Sequence, residues 1–106
     1  MKLWIDDVRP APEGYVWCKS VNETKQTIIK YSSILGFDMV EEDWIELIDL
    51  DHDAGDFAQY GGDYIRILDW LEETGRNYPI RIHSQNSVGV QNMRRIIEKN
   101  GWKEIR

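Results

Sequence analysis

The chain of 106 residues has a single cysteine, Cys18, which excludes a disulfide framework and points to a reducing compartment. No apolar run approaches the ~20 residues that span a bilayer, and Met1 leads directly into a strand-like segment where a signal peptide would need a longer apolar core. A cytoplasmic location without membrane contact is therefore expected. Repeats, low-complexity tracts and linkers are absent as well, so residues 1–106 read as one domain. Basic residues are in the minority, 13 against 19 acidic ones, for a net charge of −6. Such a chain is not expected to coat nucleic acid non-specifically, because its own field repels phosphate.

The charge is unevenly spread. Residues 1–75 hold 6 basic and 17 acidic side chains, a balance of −11, whereas residues 76–106 hold 7 basic and 2 acidic, a balance of +5. The basic third could grip one anionic group, or could simply be a solvated helix face.

Lys2-Leu-Trp-Ile-Asp-Asp7 is an apolar run that stops at two carboxylates, which predicts a short strand with acids at its carboxyl end. Residues 9–14 hold two prolines and a glycine and must be loop. Tyr15-Val-Trp-Cys18 predicts a second strand. Ser20 and Glu23, three apart, form a capping box, so a helix should follow to about residue 31–33 and bury Val21, Thr24, Ile28 and Tyr31. Residues 34–44 read mostly as loop. A third strand is expected over 44–50, a helix over 63–74 with Ile65, Leu68 and Leu71 on its buried stripe, and a fourth strand over 79–84. A last helix capped by Ser87 should end at Gly101, followed by a short strand over 102–105. Alternating strands and helices favour an α/β fold with a mainly parallel sheet. The return from the first strand to the second is too short for a usual parallel crossover, and an extended loop without a helix is the expected solution.

Ligands of open α/β sheets bind at the carboxyl ends of the strands. Three predicted strands end there in polar clusters: Asp6-Asp7 with Arg9, Asp51-His52-Asp53, and His83-Ser84-Gln85-Asn86. Asp6 and Asp7 offer hard oxygens that suit Mg²⁺ or Mn²⁺, although an acidic pair can also be a solvated turn. Arg9 either grips phosphate or neutralises the acids. Asp51 is placed as a metal ligand or a nucleophile, Asp49 as a buried strand carboxylate with a structural partner, and Asp53 as either a metal-directed group or a cap of its loop. An EF-hand is excluded, since Ala54 and Tyr60 stand where glycine and glutamate are required. Zinc is disfavoured by the lack of any close-spaced ligand pair. His52 and His83 could share acid and base roles at a phosphate, or act only as hydrogen-bonding residues. Ser84 and Asn86 could donate to phosphoryl oxygens, while Ser84 lacks an activating partner that would make it a nucleophile. The five tryptophans are expected in or at the edge of the core, and Tyr15 and Tyr60 are the better candidates to stack on a base.

These residues resemble the receiver domain of two-component response regulators, in which an acidic pair, a phospho-accepting aspartate and a Ser or Thr follow successive strands. Asp6-Asp7, Asp51 and Ser84 stand in that order. The first helix of that fold is missing here, and no lysine-proline pair follows the last strand. The chain is more similar to the cyclic-phosphate-processing receiver group, through Leu3-Trp-Ile-Asp-Asp-Val-Arg-Pro-x-Pro12, Leu50-Asp-His-Asp53, Gly61-Gly-x-Tyr64 and Ile82-His-Ser-Gln-Asn86. The resemblance implies a receiver-like, flavodoxin-like three-layer sandwich around a five-stranded, mainly parallel sheet, reduced by loss of the first helix. It also implies action on cyclic phosphates, either 2′,3′-cyclic ends of RNA or cyclic nucleotides. The expected site has Asp6, Asp7 and Asp51 holding the metal, His83, His52 and Asp51 in catalytic roles, and Arg9, Ser84 and Asn86 binding substrate. A non-catalytic sensor of cyclic nucleotides and a phospho-accepting signalling domain are the alternatives.

Overall fold

The computed structural model describes residues 1–32 and 43–106, together with the backbone of 34–35 and 40–41. In chain order the elements are β1 (Lys2–Ile5), β2 (Tyr15–Cys18), α1 (Val21–Tyr31), β3 (Ile34–Leu35), β4 (Val40–Glu41) and β5 (Leu47–Leu50). They continue with a 3₁₀ helix (Gly55–Tyr60), α2 (Ile65–Thr74), β6 (Ile80–Ile82), α3 (Ser87–Asn100) and β7 (Glu104–Ile105). β2-β1-β5-β6-β7 form one all-parallel sheet, the strand order of the flavodoxin-like fold. The strand order reverses beside β1, so the crevice between the ends of β1 and β5 is the switch point at which such folds bind ligands.

The short connection between β1 and β2 is the expected helix-free loop. It is held by side-chain hydrogen bonds where a crossover helix would supply its own backbone bonds. The Asp6 carboxylate accepts from Val8 N (3.0 Å) and Arg9 N (2.8 Å), and Trp4 Nε1 donates to Arg9 O (2.9 Å).

Alternation along each strand decides which face is covered. Leu3, Ile5, Ile48, Leu50 and Ile80 are fully buried on one face, each worth about 1.5–3 kcal/mol relative to exposure. All three helices pack there in one core, through Val21 and Ile28 of α1, Ile67, Leu68 and Leu71 of α2, and Met93 and Ile97 of α3. The opposite face presents Lys2, Trp4, Tyr15, Trp17, Leu47 and Arg81, none of them fully buried. Among the described residues no helix covers it. The expected three-layer sandwich is thus corrected to two layers on the same receiver-like sheet.

Smaller corrections follow from local chemistry. Residues 34–35 and 40–41 pair as two antiparallel strands within the segment read as loop, too short to carry an alternation signal; residues 33, 36–39 and 42 lie outside the described residues. The buried stripe of α2 runs Tyr64, Ile67, Leu68, Leu71 rather than from Ile65, because Tyr64 packs into the core and its hydroxyl donates to Lys19 O (2.7 Å). The cap of α3 is Asn86, whose Oδ1 accepts from Gly89 N (3.0 Å), and Ser87 is already helical. Tyr31 is only partly buried. Trp44 precedes the β5 ladder and is 57% exposed, unlike the other four tryptophans.

Candidate functional site

The carboxyl end of β1 places Asp6 out of solvent, while the next residue, Asp7, turns into the crevice. Burial alone would push the Asp6 carboxyl up. Hydrogen bonds from Arg9 N, Val8 N and His83 outweigh it and hold the group below the usual carboxylate range. Asp7 goes the other way, raised by burial and by the negative charges of Asp6 and Asp51. Gly55, at φ +55°, lies against the Asp7 carboxylate where any side chain would collide with Oδ2. Asp51 extends the β5 ladder, with its N–H on Ile5 O (2.9 Å), and its Oδ1 accepts from His52 N (2.7 Å). Asp6, Asp7 and Asp51 each offer an oxygen within 4.8 Å of the others.

His83 follows β6 and completes this edge. Its Nδ1 lies 2.6 Å from Asp49 Oδ1 and its Nε2 lies 2.9 Å from Asp6 Oδ2. A carboxylate only accepts, so each contact requires hydrogen on the nitrogen or on the carboxyl. The ring also stacks on Trp4, with centroids 3.7 Å apart and planes 3° from parallel. Asp49 is 1% exposed, and Arg81 Nε stands 4.0 Å from its second oxygen. Arg9 Nε is 3.9 Å from Asp6 Oδ2, and its guanidinium donates to His83 O (3.4 Å). Sequence reasoning gave Asp49 a structural partner without naming it, and it missed Trp4 as the ring beneath His83. Their shared parity across β1 and β5 was the available signal, since Trp4 and Asp49 are register partners.

The remaining expected residues gather in an adjoining set. His52 Nδ1 faces Asp53 Oδ1 at 2.9 Å, and Asn86 Nδ2 reaches both oxygens of Asp53 at 3.3–3.4 Å. The His52 hydrogen bond lowers the Asp53 carboxyl, with Asn86 adding to it against burial. Asp63 Oδ1 accepts from Ala54 N (3.0 Å), and His52, Asp53 and Asp63 form a second group of closely set ligand atoms. Gly89 of α3 lies under the His52 ring. Ser84 Oγ accepts from Asn86 N (3.1 Å) and so shapes the turn into α3. Among the described residues, no hydrogen bond joins the His52 ring to Asp6, Asp7 or Asp51. Tyr60 is exposed and lies 6.3 Å from Phe57, centroid to centroid. Tyr15 begins β2 as the register partner of Lys2, at the other end of the strands from the acids.

The basic third of the sequence does not form one patch. Arg94 pairs with Glu104, Lys99 with Glu72, and Arg76 donates to Ser32 Oγ (2.6 Å). A cavity of about 400 Å³, lined by Ser32, Asp43, Thr74, Arg76 and Tyr78, lies at the amino end of β6, away from the acids. Concavity and chemistry part company here, and the convergence of charged groups locates the site better than cavity size does. No described helix is long and apolar enough to cross a membrane.

An all-oxygen set of three crowded carboxylates, one of them raised by its neighbours' charge, fits a hard divalent cation, as in receiver domains. No lysine ammonium pairs with these acids among the described residues; the basic side chains beside them are Arg9 and His83. No curated protein and no solved structure matches the chain. A family model described as the cyclic-phosphate processing receiver domain matches residues 1–99. With that match spanning nearly the whole chain and the acid edge assembled at the switch point of its sheet, the chain belongs to the cyclic-phosphate-processing receiver domain family.

Proposed function

We propose that this domain is a metal-assisted phosphoesterase that opens cyclic phosphates. The observation that carries the reading is His83, fixed at Nδ1 by buried Asp49 and aimed through Nε2 at the Asp6–Asp7–Asp51 cluster. Asp6, Asp7 and Asp51 would hold Mg²⁺ or Mn²⁺, which when bound supplies Lewis-acid polarisation of a phosphoryl oxygen.

Ring opening requires a water oxygen to bond to phosphorus, one ring P–O bond to break, and a proton to reach the departing oxygen. The Asp49 contact orients His83 as the buried aspartate of a catalytic triad orients its imidazole, and Nε2, which rests 2.9 Å from Asp6 Oδ2, would exchange the proton on leaving that contact. His52, tied at Nδ1 to Asp53, is the second proton carrier and would act through Nε2. The Arg9 guanidinium, about half exposed, has the reach and the fork geometry to pair with a phosphate. Ser84 and Asn86, at the start of α3, would orient phosphoryl oxygens.

The test is turnover of 2′,3′- and 3′,5′-cyclic nucleotides and of an oligonucleotide with a cyclic-phosphate end, with Mg²⁺, Mn²⁺ or chelator. Metal-dependent opening that falls at least about 100-fold in His83→Ala is expected, the scale of a lost general acid–base group. Intact turnover in both His83→Ala and Asp51→Asn would refute the assignment. Saturable binding without turnover would instead make the domain a sensor.

A further inference from the structure

We propose that the helix-free face of the sheet is a binding platform for single-stranded RNA, which delivers a 3′-terminal cyclic phosphate to the acid edge. This rests on the phosphoesterase reading and names its substrate class as an RNA end rather than a free nucleotide.

Three observations carry it. Register puts Trp4, Tyr15 and Trp17 side by side on this face, all partly exposed, although the sequence placed Trp4 and Trp17 only as core or core-edge residues. Such rings stack on any base, which suits a strand of unspecified sequence. Cations are interleaved with them: Lys2 Nζ lies 5.3 Å from the Tyr15 ring centroid and Lys19 Nζ lies 4.4 Å from that of Trp17, with Arg81 across the sheet. The acids on the same side, Asp49 and Asp6, are buried against His83, and Asp49 also faces Arg81. In a chain of net charge −6, Lys2 and Lys19 thus set positive charge beside these rings, and the acidic remainder of the protein disfavours binding elsewhere.

The platform is also continuous with the site. Trp4 stacks on His83, and Tyr15 meets Trp4 edge-to-face at 6.0 Å, so a chain of rings runs from β2 to the proposed proton carrier. A strand laid along it would have its terminal phosphate beside Arg9 and His83 and its preceding bases over β1 and β2. A mononucleotide would fill only the terminal position.

The experiment measures binding of a fluorescent single-stranded RNA hexamer ending in 3′-phosphate, in chelator so that binding is read apart from turnover, beside a 3′-mononucleotide. Turnover of a 2′,3′-cyclic mononucleotide is followed in parallel with metal. The hexamer should bind at least about tenfold tighter than the mononucleotide and weaken steeply with salt. Tyr15→Ala should cost about tenfold in hexamer affinity, and so should the surface double variant K2E/K19E, which keeps the test open if the aromatic variant fails to fold. Mononucleotide turnover should be unchanged in both. Equal affinity for hexamer and mononucleotide, hexamer affinity indifferent to these variants, or a wild-type dimer that buries this face would overturn the proposal. Variant-sensitive hexamer binding without any turnover would uphold the platform and sink the phosphoesterase reading. Turnover with no preference for the hexamer would do the reverse.

Discussion

Replacing Gly89 by alanine pits two effects of similar size against each other. Gly89 sits in the first turns of α3 without a left-handed backbone, so helix propensity alone favours alanine by about 1 kcal/mol. The structure opposes it. A Cβ at Gly89 would lie 2.5 Å from Cγ and Cδ2 of His52, well inside the ~3.5–4.0 Å at which carbon atoms rest. His52 cannot simply retreat, because its Nδ1 is bonded to Asp53 at 2.9 Å and its ring is 14% exposed. Overpacking of this kind costs about 1–3 kcal/mol, so Gly89→Ala should range from neutral to about 2 kcal/mol destabilising. In a His52→Ala background the obstruction is gone, and the same substitution should stabilise by about 1 kcal/mol. Urea unfolding of the four proteins, with unchanged m, reads both numbers and a coupling of about 1–3 kcal/mol. A stabilisation of about 1 kcal/mol in both backgrounds would refute the packing argument and, with it, the placement of His52 on α3.

The two carboxyls of the β1 end should respond to acid with opposite sign. Asp6, lowered in the fold, contributes stability that is present above about pH 4 and lost as pH falls through its folded value; Asp7, raised in the fold, is destabilising when charged and is relieved by protonation. Asp6→Asn should therefore flatten the acid limb of a stability–pH curve, whereas Asp7→Asn should raise the melting temperature at pH 7 in chelator; the opposite ranking would contradict the site's electrostatics. Mg²⁺ or Mn²⁺ should stabilise the wild type by about 2.7 kcal/mol at 100 times its Kd, and Asp51→Asn should abolish most of the shift in a thermal scan. The Cys18 thiol, buried and pushed up to about 11, should label with a thiol reagent only as fast as the protein opens, and rapid native labelling would show that β2 is not packed as described.

The acids were legible in the sequence because a strand that ends in carboxylates announces itself locally: Asp6, Asp7 and Asp51 each follow an apolar run, and a parallel sheet must bring such ends to one edge. The caps and glycine stops of the helices were legible for the same reason, since Ser20 and Gly101 act on backbone within a turn of themselves. Asn86 displaced Ser87 as the cap because both can fill that role and only the chain's path into α3 selects one. Contacts between strands were another matter. The Asp49–His83–Asp6 chain and the Trp4 ring stacked on it join β1, β5 and the end of β6, and their geometry depends on strand order and register. Short strands do not reveal which face a helix will cover, because Leu3 and Trp4 are both apolar and only packing tells core from platform. The sequence by itself determined the chemical endowment of the edge and the α/β class, as these rest on residue identity and spacing along one strand or helix. Tertiary structure alone decided which nitrogen of His83 faces which carboxylate, that His52 stands in an adjoining set with Asp53 and Asn86, and that one face of the sheet carries rings and cations instead of helices, because each depends on groups brought together from distant parts of the chain.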